Sequence, residues 1–109
     1  MIWEKKNLIF KPTGFWWNKT HAMIPTPEHI GDSFYKIYFS GRDNNNISHI
    51  GYFIVDLNNL NVNKVSEESI LNPGEIGCFD DNGVTPSCII NIEGEIYLYY
   101  IGWNPGHNV

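Results

Sequence analysis

Apolar and polar positions alternate with a period of two through several short runs of the chain, with no helix of consequence between them. The clearest pair is Val84–Ile92 and Glu95–Ile101, rich in β-branched and aromatic residues and joined by Glu93-Gly94. This is the pattern of a β-hairpin whose strands each rest one face on a core. Upstream, Thr20–Pro27 (THAMIPTP) reads as a strand stopped by prolines, and Ser33–Ser40 (SFYKIYFS) as the next, with Glu28–Asp32 as the turn between them. Gly41–Asn46 (GRDNNN) has the residues of a turn that tolerates left-handed backbone. Ile47–Asp56 (ISHIGYFIVD) is a third strand, Leu57–Asn63 an asparagine-rich loop and Lys64–Ser66 a short fourth strand at an edge. Glu67–Ile76, with Pro73-Gly74, connects this group to the hairpin.

Residues 1–19 carry Trp3, Phe10, Phe15, Trp16 and Trp17, punctuated by Pro12 and Gly14, and show no helical period. They are expected to form a short strand or an extended arm lying along something else. Core packing accounts for most of these rings, and one of Trp16 and Trp17 is a candidate platform for stacking a sugar.

Two units can be superposed, THAMIPTP then SFYKIYFSGRD over GVTPSCIINI then GEIYLYYIGWN, at an offset of about sixty residues, near the length of one propeller blade. The expected fold class is therefore all-β, built of antiparallel β-propeller blades, about one and a half of a five-bladed propeller. Residues 1–19 are then an arm, 20–66 a first blade, 67–83 a connection and 84–109 the first half of a second blade. Repeats bury their faces against one another, so about three are usually needed for stability. A blade and a half leaves apolar faces and strand edges open, and the chain is expected to be the N-terminal piece of a longer protein or to self-associate through open blade edges.

Composition narrows the partners. The chain has 109 residues, enough for one domain, and its 42% hydrophobic content argues against disorder. The net charge of −5 disfavours nucleic acid, whose phosphates need a basic face. No apolar run reaches the ~18 residues of a membrane span. The start, MIWEKKNLIF, places charges where the apolar core of an export signal would lie, so a cytoplasmic location is expected. Cys78 and Cys88 lack metal or redox spacing and are expected to be free thiols, with no metal site and no cofactor.

Topology then concentrates the chemistry. In an up-and-down sheet, the start of the first strand and the turn between the second and third share one end, as do the start and finish of the hairpin. That end collects His21, Arg42-Asp43, Asp80-Asp81 and Trp103-Asn104, while Glu28–Asp32 and Glu93-Gly94 go to the other. Asp80 and Asp81 are adjacent, so at most one faces a pocket, and an Asx cap at a strand start is the competing reading. Arg42 and Asp43 are either a local turn pair or a grip on a ligand anion and a sugar hydroxyl. His21 reads either as structural or as ligand-binding, and Trp103 is the best stacking candidate. His49, inside a strand, and His107 read as incidental.

The combination THAMIP, YFSGRD, SHIGYFIVDL, GCFDDNGVTPS and GEIYLYYIGWN resembles the five-bladed β-propeller glycosidase superfamily, which holds glycoside hydrolase families 43, 62, 32, 68 and 130. The nearest likeness is to bacterial members that share HA-x-x-P, S-x-RD and FDD-x-GV-x-PS. The resemblance runs from about Phe15 to Asn104 and implies carboxylates around a central funnel, one protonating the leaving oxygen while another activates water or attacks. It implies Asp43 and Asp81 as catalytic groups, with His21, Arg42, Asp80, Trp103 and Asn104 binding substrate. Two positions depart from the family pattern. His21 stands where the first blade usually offers an aspartate, and Thr85 where one usually precedes Pro-Ser. The expected function is the N-terminal part of a glycoside hydrolase-like propeller that hydrolyses, phosphorolyses or transfers a glycosidic bond. The alternatives are a glycan-binding propeller without catalysis and an inactive fragment.

Overall fold

The structure, a computed structural model, describes residues 1–106; His107 lies outside them. Six strands and no helix are present among the described residues. Strands β1 (Thr20–Gly31), β2 (Phe34–Arg42), β3 (Ser48–Asp56) and β4 (Asn61–Val65) form one antiparallel sheet in chain order, and β5 (Val84–Ile92) and β6 (Glu95–Gly102) form a separate hairpin. The all-β class read from the alternation is present.

The central strands explain how the layers stack. Along β2 and β3 both parities are apolar, so both faces of the sheet are covered. Ile37, Phe39, Phe53 and Val55 share one face and pack with Trp17, Phe10, Phe15, Val62 and Val65. Tyr38, Ile50 and Tyr52 share the other and pack with Val84, Ile89, Leu98, Tyr100 and Leu71. The arm covers one side and the hairpin the other. Trp17 is fully buried, and its indole N–H donates to the carbonyl of Ser66 at 3.0 Å. Its ring lies flush on Gly51, where any Cβ would collide with it. Residues 1–19 contain no regular strand before Thr20, in line with an extended arm.

Three boundaries differ from the sequence expectation, each for a physical reason. β1 does not stop at its prolines but continues to Gly31, with Glu28 opposite Lys36 and His29 opposite Tyr35, so Glu28–Asp32 is mostly strand. β1 pairs only with β2, and an edge strand can host Pro25 and Pro27 where a central one could not. The reversal is confined to Asp32-Ser33, with Gly31 and Asp32 both at positive φ. β2 in turn runs through Gly41 to Arg42, which pairs with Ser48, so the turn is only Asp43–Ile47. β4 begins at Asn61 rather than Lys64. A bulge opposite Ile54/Val55 puts Val62 and Val65, three apart, against the same core cluster, which hides the period of two.

β1 carries bulges of its own, between Thr20 and Met23 and between Met23 and Thr26, where His21 and Ile24 take positive φ. The β5–β6 reversal is tight. Glu93 and Gly94 both have positive φ, as a type I′ hairpin turn requires, and Asn91 Oδ1 accepts the Gly94 N–H at 3.0 Å.

Candidate functional site

Strand register decides which loops share an end. Thr20 pairs with Arg42, Arg42 with Ser48 and Val84 with Gly102, and a bridge joins Ser48 to Gly83. The start of β1, the β2–β3 turn, the segment before β5 and the end of β6 therefore meet at one rim. His21, Arg42, Asp43, Asp80, Asp81, Trp103 and Asn104 all lie on it or directly beside it.

Their immediate partners sort them into different jobs. Asp43 closes the β2–β3 turn. Its Oδ1 accepts the N–H of Asn45 at 2.8 Å and of Ile47 at 3.1 Å, and its Oδ2 pairs with His49 Nε2 at 2.8 Å. A carboxylate only accepts, so Nε2 carries the proton on that side. Burial alone would raise this carboxyl, but the bonds from His49, Ile47 and Asn45 outweigh it and hold Asp43 below its ordinary value. The two side chains are 8% (His49) and 17% (Asp43) exposed.

His49, set aside by the sequence reading, is the hub of this network. Its Nδ1 lies 2.9 Å from Asn72 Oδ1, which also accepts the Ser69 hydroxyl. Trp16 meets the imidazole edge-on at 4.9 Å, and its indole N–H donates to Glu68 at 2.7 Å. The signal in the sequence was a titratable ring within an apolar run of the strand, placed opposite Gly41 by the register. Trp16 is thus turned outward and Trp17 inward, which separates the two readings of that pair.

Asp80 is buried and engaged at both oxygens, by the Gly74 N–H at 3.1 Å and the Tyr100 hydroxyl at 3.0 Å. The hydrogen bond to Asp80 raises the Tyr100 phenol, with burial and the Asp80 charge adding to it. Asp81 points elsewhere, the pair lying in a run of turns in which the Asp81 N–H donates to the Cys78 carbonyl and the Gly83 N–H to the Asp80 carbonyl, each at 3.2 Å. Its Oδ2 accepts the Gly77 N–H at 2.9 Å, and its Oδ1 has no hydrogen-bond partner among the described residues.

Asp81 lines a hollow of about 460 Å3 with Ile47, Ile76, Gly77, Asn82, Asn104, Pro105 and Gly106. Asn104 is braced, its amide donating to the Cys78 carbonyl at 3.2 Å and its oxygen accepting the Gly106 N–H at 2.8 Å. Trp103 is held by its backbone, which exchanges hydrogen bonds with Gly83 and Asn82 at 3.1 Å. Its half-exposed indole lies beside Gly83. Arg42 and His21 stand apart from this hollow. Arg42 donates to Asn46 at 2.9 Å, and the exposed His21 ring contacts the Thr20 hydroxyl at 2.8 Å.

Two other features carry less chemistry. A larger hollow of about 590 Å3 lies between the arm and the sheet, walled mainly by hydrocarbon from Leu8, Phe10, Ile37, Phe39, Phe53 and Val55. It marks where the arm covers the face loosely. Among the described residues, no group of three histidine, cysteine or acidic side chains is placed to hold a metal ion, and Cys78 and Cys88 are both free and exposed. No helix is long and apolar enough to cross a membrane.

Two curated proteins match the chain, each 44% identical over 106 residues. They are Uncharacterized protein MT1551 of Mycobacterium tuberculosis strain CDC 1551 / Oshkosh and Uncharacterized protein Rv1502 of strain ATCC 25618 / H37Rv. The match covers 95% of this chain but 36% of either relative, so the chain spans about a third of their length. No protein-family model matches the chain, and no solved structure does.

Proposed function

We propose that the chain is a saccharide-binding part of a carbohydrate-active β-protein, its β1–β4 sheet and β5–β6 hairpin arranged as successive propeller blades, and that the sugar is held at the rim by Asp81, Asn82 and Asn104. The hollow carries this reading. It sets one uncommitted carboxylate oxygen and two side-chain amides beside the hydrocarbon of Ile47 and Ile76. A pyranose needs this mixture, with acceptors and donors for hydroxyls and an apolar surface for its C–H face. Trp103, half-exposed and next in the chain to Asn104, offers a stacking face beside it. The resemblance of THAMIP, YFSGRD and FDDNGVTPS to propeller glycosidases supports the same ligand class.

The charge of the hollow favours a neutral sugar. Among the described residues its one ionisable side chain is acidic, and no lysine, arginine or histidine lines it. Arg42 is turned to Asn46 instead, so an acidic sugar or a phosphate has no cation there. Hydrolysis or transfer requires two carboxylates flanking one bond. Asp43 and Asp80 are each engaged at both oxygens, which leaves Asp81 as the candidate carboxylate and a partner acid to come from the rest of a longer protein. Binding is therefore the primary role assigned to this chain.

Titration of the chain with neutral mono- and oligosaccharides, followed by NMR shifts and calorimetry, tests the assignment. Saturable binding weakened at least tenfold by Asp81→Asn or Asn104→Ala, and unchanged by Arg42→Gln, is the expected result. Absence of binding across the panel, or binding indifferent to both rim substitutions, would overturn it.

A further inference from the structure

The sheet edges of the molecule are not protected alike. A strand at an edge presents unpaired N–H and C=O groups and invites another strand, unless it is short, bulged or interrupted by proline or lysine. β1 carries Pro25, Pro27 and bulges along its first half. β4 has five residues, among them Lys64, and leaves Asn63 unpaired in its bulge. β5 carries Pro86 and the unpaired Ser87. β6 has none of these devices. All eight of its residues pair with β5, Glu95 is its one charge, and Ile96–Ile101 is a continuous apolar and aromatic run without proline.

The outward side of β6 is open. Its two-residue turn closes on Ile92 and Glu95, which exchange both backbone hydrogen bonds in a hairpin of this kind, and Tyr97 repeats that pairing opposite Ile90. Ile96 and Leu98, on the alternate positions, therefore turn their N–H and C=O groups away from β5. Among the described residues β6 has no strand partner other than β5.

We infer that this open edge takes an antiparallel strand from the polypeptide that follows Pro105-Gly106 in a longer form of the protein, widening the hairpin to at least three strands. In the first sheet β1, β2, β3 and β4 lie side by side in chain order, each antiparallel to the last, and by the same rule the next strand falls beside β6. The chain already turns there, at Pro105-Gly106, where Asn104 Oδ1 accepts the Gly106 N–H at 2.8 Å. Polypeptide to supply the strand exists in the relatives, since the match covers 36% of each and leaves most of it outside. A strand tethered by a short connection meets the edge at an effective concentration of about millimolar, well above that of a separate copy.

The side chains of β6 state what that strand looks like. Leu98 and Tyr100 pack toward the first sheet, while Tyr97 and Tyr99 stand 43% and 54% exposed on the other face, with Ile101 beside them. Residues of the added strand on the parity of these rings are therefore β-branched or aromatic, and pair with them across the ladder.

Amide hydrogen exchange followed by NMR reads the edge directly. In the chain alone, Ile96 and Leu98 should exchange at least tenfold faster than Tyr97. Two longer proteins supply the comparison: this chain extended by the polypeptide that follows the match in a mycobacterial relative, and the full-length relative itself. In both, the amides at these two positions should slow at least tenfold, with cross-strand nuclear Overhauser contacts to the added segment. The full-length relative gives the reading even where the extended chain does not fold. Fast exchange at that edge in the longer proteins, or contacts there with any other segment, would overturn the proposal. So would protection in the chain alone, which, if it grew with concentration, would assign the edge to a second copy. Failure of saccharide binding leaves this inference standing, because the rim hollow and β6 share no residue.

Discussion

The four-stranded sheet and the hairpin are written in the same alternating pattern but are buried differently. In β2 and β3 the two parities each meet a partner, the arm on one side and the hairpin on the other. In β6 the parity of Leu98 and Tyr100 is covered, while Tyr97, Tyr99 and Ile101 face solvent. Sequence alternation therefore reports which faces are apolar and not which are covered. Equal-looking residues in the two regions should differ several-fold in what they contribute.

The largest expected contrast sets Trp17 against Tyr99. Trp17→Ala removes a fully buried ring that touches Phe39 at 5.0 Å between centroids and donates to Ser66, and should cost about 3–5 kcal/mol. Tyr99→Ala, measured at concentrations where the chain is monomeric, should stay within about 0.5 kcal/mol of the parent. Urea unfolding followed by circular dichroism gives both numbers. Comparable losses at the two sites would mean that the hairpin's outer face is covered within the single chain.

The same contrast explains what could be read from the residues alone. The hairpin's strands, its two-residue turn and the rim shared by Asp43, Asp81 and Trp103 follow from local pattern and chain reversal, both of which sequence carries. The start of β4 did not, because an unpaired residue in the bulge shifts Val65 relative to Val62 and breaks the period. The run of β1 past Pro25 and Pro27 was hidden for another reason, since only the strand order reveals that β1 is an edge. At the rim, spacing placed the carboxylates correctly but could not say which were engaged. Asp43 and Asp80 each take a partner from a later strand, His49 and Tyr100, and among the described residues Asp81 alone of the three keeps an open oxygen.

The Asp43–His49 pair sharpens the comparison at intermediate magnitude, because the hairpin has no buried histidine–carboxylate hydrogen bond to match it among the described residues. His49→Ala leaves Asp43 Oδ2 and Asn72 without their shared partner and should cost about 1–3 kcal/mol. The acid limb of the stability curve checks the mechanism. Asp43 is held below its ordinary 3.8, so its contribution is complete above that pH and is lost as pH falls through the lowered value. Asp43→Asn should flatten that limb. Asp56, lowered by the Ser33 hydroxyl and the Asn58 N–H, titrates in the same sense and leaves a residual slope. An unchanged limb in Asp43→Asn would remove the carboxylate from this role.

The smallest effect belongs to the hairpin turn, and it runs in the stabilising direction. Glu93 sits at φ 52°, left-handed backbone that a long side chain adopts at a cost, while Gly94 at φ 87° adopts it freely. Asparagine favours that conformation, and Asn-Gly is the preferred pair for a type I′ turn. Glu93→Asn should therefore stabilise the chain by about 0.5 kcal/mol, a shift of a fraction of a molar in the urea midpoint. It also removes one of the two negative charges at the hairpin tip. Because the turn lies at the opposite end from the rim, saccharide affinity should not move with it. A loss of stability would mean that Glu93 has a partner that outweighs the relief of its backbone, and that the hairpin is tied down more firmly than its exposed face implies.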